Sequence, residues 1–179
     1  MKLWNILALA TATLAVQTAA ADPYMVGRGM SDITGEAAEV GMMGYAKLDQ
    51  KTGGIHMRQR ARAFIVVDSA TGKRVVFVNT DLGQVFQGVQ QAVLAKLAAK
   101  YGTLYRSENI VLAATHTHSG PGGFSHYALY NMTTLGFNQK TFDAIVAGIV
   151  EAIDKAHRDL KPGTIAVGTG ELLDASNNR

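Results

Sequence analysis

The chain has 179 residues, 47% of them hydrophobic and 17% charged, with a formal net charge of +3 and no cysteine. Without cysteine there are no disulfide staples, thiolate zinc ligands or cysteine nucleophile within these residues, which leaves imidazole, carboxylate and phenolate groups for any chemistry. A pI of about 9.2 that rests on so small a net charge gives little support to a nucleic-acid partner, and none is expected.

Residues 1–21 carry a basic start at Lys2, an apolar stretch over 6–16 and the small residues Ala19, Ala20 and Ala21 before Asp22. That three-part pattern predicts a secretory signal peptide, and with it export to the periplasm or beyond. The apolar stretch is too short to span a bilayer of about 30 Å, which needs roughly 20 residues. Residues 22–179 suffice for one ordinary domain or for part of a larger one.

Gly27-Arg28-Gly29 with Asp32 is too short a pattern for a dinucleotide loop, since no strand is predicted before it and no helix follows the glycines in order. His56 reads as a structural loop or strand-edge histidine. Arg58, Arg60 and Arg62 alternate with Gln59 and Ala61. They read first as the solvated face of a strand, and second as an attraction toward anionic membrane surfaces. The β-branched runs 61–67 and 74–79, separated by 68–73, predict two strands joined by a turn. Asp81 ends the second and is expected to cap the following helix, with orientation of a metal-ligating imidazole as the other role. Over 84–101, Phe86, Val89, Val93 and Leu97 recur at helical spacing, and Gly102 is a natural stop.

Residues 110–114 predict a buried strand that runs into Thr115-His116-Thr117-His118-Ser119-Gly120-Pro121-Gly122-Gly123. If 115–118 stays extended, side chains alternate and His116 and His118 face one pocket. The glycines then turn the chain and leave little bulk at the pocket mouth. Neutral imidazole is a common zinc ligand, yet a catalytic zinc needs about three protein ligands, so two histidines begin a site without completing it. A strand-end His-x-His also serves simply to hydrogen-bond a loop to a sheet. His126 reads as structural or as support for the motif, and His157 as a surface residue. Phe142, Ile145, Ile149 and Ile153 mark a second helix with Thr141 as its cap and Pro162-Gly163 beyond its end; 164–168 predicts a further strand. Strands alternating with helices indicate an α/β fold, a mixed sheet covered by helices, with the motif at a strand's carboxyl end where sites gather.

The stretch from Thr115 to Gly123, continuing as Phe124-Ser125-His126-Tyr127, resembles the signature of the neutral ceramidase family, secreted zinc amidases that cleave N-acylsphingosine into sphingosine and a fatty acid. Similar stretches occur at Asp32-Ile33-Thr34-Gly35, Gly41-Met42-Met43-Gly44-Tyr45, Gln50-Lys51-Thr52, Gly54-Ile55-His56-Met57-Arg58, Asn79-Thr80-Asp81-Leu82-Gly83 and Gly170-Glu171-Leu172. The resemblance implies that His116 binds zinc, that His118 binds substrate or transfers a proton, and that Gly44 lines the substrate pocket. Arg179 matches an arginine that contacts substrate. It further implies that the remaining ligands, a histidine, a glutamate and a tyrosine, and an essential serine, follow position 179. The chain is therefore expected to be the N-terminal part of the zinc-hydrolase catalytic domain of a longer enzyme, inactive alone, that meets ceramide transiently at a membrane surface. Two other readings are a different secreted zinc hydrolase with a His-x-His site and a non-catalytic exported lipid-binding module.

Overall fold

A computed structural model describes residues 23–175; the leader 1–21 and Arg179 lie outside the described residues. Strands β1 (Tyr24–Asp32), β4 (Arg60–Asp68), β5 (Arg74–Thr80), β6 (Ile110–Ala114) and β7 (Lys161–Gly163) form one sheet in the order β6-β5-β4-β1-β7. β2 (Ala38–Gly41) and β3 (Lys51–Gly53) form a separate ribbon. Only β5 and β6 pair in parallel; the other pairs in the large sheet are antiparallel, so the sheet is mixed as expected.

The two β-branched runs become β4 and β5 because their alternation matches the pleat: Ala61, Ala63, Ile65 and Val67 point into the core beside Val76 and Val78. Helix α1 (Gln87–Tyr101) buries Val89, Val93 and Leu97, and Gly102 at φ 59° closes it by donating its N–H to Ala98 O. The helix begins later than the periodicity predicts, because Phe86 is still extended while its ring packs on Phe124 at 5.1 Å. A short α2 (Ala128–Asn131) follows the motif loop. Helix α3 (Gln139–Arg158) lays the predicted stripe Phe142, Ile145, Ile149 and Ile153 on the sheet.

The α3 cap is Asn138, whose side chain accepts from Thr141 N–H, while the Thr141 hydroxyl accepts from Glu36 N–H. Residues 164–168 form no strand; the chain pairs at 161–163, along the sheet edge where Pro162 needs no donor. β6 is an edge strand whose Val111 is exposed, rather than a buried one. Helix α3 is the helix that packs on the sheet, over β1 and β4. Gly27 and Gly29, which carry no sequence signal for a strand, lie inside β1 because α3 crosses it at backbone contact. A Cβ on Gly27 would stand 2.1 Å from Ala156 O, and one on Gly29 2.2 Å from Ala152 O.

His157 is part of the packing between the helices. Its Nδ1 lies 2.6 Å from Tyr105 Oη and its ring packs on Tyr101. Nearby, Asp154 accepts from Lys100 and Tyr101 and pairs with Arg158 at 2.5 Å. Hydrogen bonds from Lys100 and Tyr101 hold the Asp154 carboxyl below its ordinary 3.8, and burial together with Asp154 pushes Tyr101 up to about 12. Burial, then the charge of Arg74, lowers His157 below its ordinary 6.5. Two acid windows follow. The neutral His157 is favoured in the fold, so stability falls once pH drops below 6.5. The stabilisation from ionised Asp154 is present above 3.8 and is lost as pH falls through its lower folded value. Thermal unfolding of Asp154→Asn against pH is expected to show a lower midpoint at neutral pH and a shallower loss in the more acidic window. An acid profile identical to that of the unsubstituted chain would contradict this.

Candidate functional site

The motif loop leaves the carboxyl end of β6 and stays tied to the chain that leaves β5: Thr115 N–H donates to Thr80 O at 2.9 Å, and Thr117 N–H to Leu82 O at 3.1 Å. Between them the backbone is not extended. His116 adopts φ 61°, a left-handed conformation that is costly for a residue with a Cβ and that clusters at functional sites. The His116 and His118 rings nevertheless meet, with centroids 4.8 Å apart at 72°. The two imidazoles are therefore neighbours, brought together by a backbone turn rather than by the strand alternation that the sequence reading expects.

Each ring is held on one side. His116 Nδ1 lies 2.6 Å from Gly83 O. A carbonyl only accepts, so Nδ1 carries the proton and the Nε2 lone pair is left free, the tautomer and orientation of a metal-ligating histidine. His118 Nε2 is buried without a hydrogen-bond partner among the described residues. A buried nitrogen of that kind is costly unless something outside the described residues satisfies it. Tyr45 packs edge-on against the His118 ring, centroids 4.4 Å apart, and Gln50 Nε2 donates to His118 O at 3.1 Å.

The segment 41–45 cradles the loop: Gly122 N–H donates to Gly41 O at 2.9 Å, Met43 N–H to Gly120 O at 3.3 Å, and Met42 bridges Pro121. Gly44 sits at φ 136° directly against His118, where an added Cβ would stand 2.3 Å from Cγ and 2.4 Å from Cδ2. Replacing Gly44 by alanine is expected to displace the His118 ring and to cost about 1–3 kcal/mol through overpacking and backbone strain. Denaturant unfolding together with the imidazole NMR shifts of His118 checks this; an unshifted ring would contradict it.

The glycines after the histidines do not keep a pocket mouth open, as the sequence reading expects. Residues 120–123 are all buried, and their bareness admits neighbours: a Cβ on Gly120 would meet Gln59 Nε2 at 2.3 Å, and one on Gly122 the Thr134 Cγ2 at 2.3 Å. The open space lies elsewhere. Thr115, Thr117 and Ser119 line a cavity of about 670 Å³ with Gln59, Arg62 and Asp81, on whose wall neither motif histidine appears.

Asp81 neither caps α1 nor touches an imidazole. Its carboxylate accepts from Arg60 N–H at 2.9 Å and from both terminal nitrogens of Arg62, at 2.7 and 3.1 Å. Burial opposes its ionisation, but the bonds from Arg62 and Arg60 outweigh this and hold the carboxyl below its ordinary value. Arg58 and Arg60 pair with Asp32, so the arginine row is ion-paired as well as solvated. His126 stacks on Phe142 with centroids 4.9 Å apart and also packs on Phe137, a structural role. His56 lines the cavity.

Among the described residues no group of three or more His, Cys, Asp or Glu side chains gathers to hold a metal. The Nε2 lone pair of His116 suits one imidazole ligand of a zinc site and leaves about two further protein ligands to be supplied. Gly83 and Tyr45 carry no functional signal as isolated letters; both fall inside stretches on which the resemblance rests.

The family model described as neutral/alkaline non-lysosomal ceramidase, N-terminal, matches residues 24–179. The chain belongs to the neutral/alkaline non-lysosomal ceramidase family. It is 62% identical over 157 residues to a neutral ceramidase of Pseudomonas aeruginosa, covering 88% of this chain and 23% of that protein. It is 49% identical over 177 residues to a neutral ceramidase of Oryza sativa, covering 99% of this chain and 22% of that one. The crystal structure of neutral ceramidase from Pseudomonas aeruginosa superposes with a TM-score of 0.78 at 64% identity, over 79% of this chain and 22% of the solved one. A second solved structure, a ceramidase complexed with C2, gives a TM-score of 0.77 with the same coverage. The chain thus spans less than a quarter of the length of these relatives, and the mixed sheet with its helices is the family's own architecture over that span.

Proposed function

We infer that this chain forms the N-terminal part of the catalytic domain of an exported zinc-dependent amidase that cleaves the amide bond of ceramide to give sphingosine and a fatty acid. The observation that carries this reading is the His116 imidazole, pinned through Nδ1 to Gly83 O with Nε2 free, beside the unpartnered buried Nε2 of His118, in a chain of the ceramidase family. His116 holds the metal. Zinc, when bound, supplies Lewis acidity toward the amide carbonyl and toward water. His118, fixed by Gly44, Tyr45 and Gln50, donates a hydrogen bond to the carbonyl oxygen as negative charge grows there. Arg179 supplies a positive contact to substrate. Gly44 shapes the pocket wall by letting the chain approach the His118 ring. The leader directs export, and the enzyme meets ceramide transiently at a membrane surface.

Alone, the chain does not turn over substrate, because His116 by itself leaves the zinc shell short of the about three protein ligands a catalytic site needs. The test is hydrolysis of N-acylsphingosine by a protein of family length that carries this chain as its N-terminal part, measured before and after removal of zinc by a chelator. The expected result is activity that disappears on chelation and returns with zinc; undiminished activity in the chelated protein would overturn the reading. In the same protein, His118→Ala is expected to retain zinc while turnover falls roughly 100 to 1,000 fold, the usual effect of removing one donor to a developing oxyanion. Steady-state kinetics alongside elemental analysis checks this, and loss of zinc with activity would reassign His118 to the metal shell.

A further inference from the structure

We propose that Asp81 is a positioning residue for His116, acting through the backbone of 80–83 to fix the orientation and tautomer of the imidazole; its consequence for zinc rests on the function inferred above. The β5–β6 ladder ends at Thr80 and Ala114. His116 lies past that end, against the turn by which the chain leaves β5. There Thr80 O accepts from Thr115 N–H, Leu82 O accepts from Thr117 N–H, and Gly83 O takes the His116 ring at Nδ1. The ring is therefore placed only as well as the path of the chain from Thr80 to Gly83.

Asp81 fixes that path through its backbone and its side chain together. Its N–H donates to Arg60 O at 2.9 Å, and its carboxylate accepts from Arg60 N–H at 2.9 Å. Both terminal nitrogens of Arg62 hold the same carboxylate, at 2.7 and 3.1 Å, a two-pronged geometry that sets direction as well as attraction. Its own carbonyl accepts from Gln59 Nε2 rather than from the motif. The Arg58 and Arg60 guanidinium groups pair with Asp32, at 3.4 and 3.8 Å, which leaves the Asp81 carboxylate to Arg62. The Arg62 and Asp81 side chains are 40% and 25% exposed, and a pair so open to water adds little to stability through charge alone. Its effect is to tie the turn to β4, so that the carbonyls of Leu82 and Gly83 meet the motif in one direction.

The test uses a family-length protein carrying this chain and compares Asp81→Asn with Asp154→Asn, a control that removes a carboxylate whose partners are Lys100, Tyr101 and Arg158. Imidazole nitrogen NMR shifts of the metal-free proteins read the His116 tautomer, and competition with a chelator reads zinc affinity. In Asp81→Asn the His116 ring is expected to lose its single Nδ1–H tautomer and zinc to bind about tenfold more weakly, the lower end of the roughly 10–100-fold cost of removing a group that orients a metal ligand. Asp154→Asn is expected to change neither. Arg62→Gln spares the bond from Arg60 N–H and is measured alongside, so that the outcome does not depend on Asp81→Asn folding; it is expected to move both readouts in the same direction by less. The proposal is overturned if either variant at the Arg62–Asp81 pair keeps the tautomer and affinity of the unsubstituted protein. It is overturned as well if the Asp154→Asn control weakens zinc binding equally, which marks a general loss of stability. A shifted tautomer in a protein that binds no zinc even when unsubstituted supports the positioning role and sinks the metal function, so the two ideas fail separately.

Discussion

Replacing His116 by alanine in a protein of family length is expected to remove both the zinc and the activity, with turnover falling by at least about a thousandfold. The size of the effect follows from how the ring is held. Its Nδ1 proton is committed to Gly83 O, so Nε2 is its only coordinating atom, and alanine deletes that ligand where no group of three or more His, Cys, Asp or Glu side chains gathers among the described residues. The backbone predicts a secondary gain. His116 sits at φ 61°, where alanine is equally strained, so His116→Gly relieves strain that His116→Ala retains and should be the more stable of the two by about 1 kcal/mol. Elemental analysis, steady-state kinetics and thermal unfolding read the three effects. Unchanged zinc content in His116→Ala would take this residue out of the metal shell.

The largest effect on folding is expected far from the histidines, at the crossing of α3 over β1. Gly27→Ala would put a Cβ 2.1 Å from Ala156 O and 3.1 Å from Leu160 N. The obstacle is backbone, so no rotamer change relieves it, and the helix must lift off the strand. The close approach recurs along the crossing, where a Cβ added to Gly29 would stand 2.2 Å from Ala152 O and one added to Gly148 of the helix 2.1 Å from Asp32 O. A destabilisation of at least about 3 kcal/mol is expected, at the upper end of overpacking costs. It outweighs the gain of about 0.4–1 kcal/mol that alanine brings by restricting the unfolded chain. Gly168→Ala, where an added Cβ meets nothing within 4 Å, is the matched control and should change stability little. Denaturant midpoints for the two variants check the contrast, and a Gly27→Ala protein as stable as the control would contradict the close crossing.

These same contacts explain what the sequence makes legible. Strands β4 and β5, helix α1 and the stripe of α3 announce themselves because their own apolar residues carry the period of the element. β1 does not, because its core face reads Gly27, Gly29, Ser31, positions where the α3 backbone occupies the space an apolar side chain would fill. The reverse error occurs at 164–168: Ile165 and Val167 alternate like a strand, yet both are exposed, since propensity without a partner strand makes no ladder. Local capping rules find the right region for the start of α3 but choose Thr141 over Asn138, two chemically suitable residues three positions apart.

At the site, the spacing of His116 and His118 reveals that the rings meet, while the left-handed turn that brings them together is invisible in the letters. The Gly83 carbonyl that fixes the tautomer lies 33 positions away, and the need for a bare Gly44 appears only once His118 is placed against it. Residue identity names the chemistry, and long-range backbone approach decides which atoms are free to perform it.

Anomalous diffraction at the zinc absorption edge, on crystals of a family-length protein carrying this chain, tests most directly the proposal that His116 offers Nε2 to a metal ion. A peak within bonding distance of His116 Nε2, about 2.0–2.1 Å, with Nδ1 still on Gly83 O, is the result predicted. A zinc peak remote from that nitrogen, or a His116 ring turned so that Nε2 meets only protein atoms, would contradict it.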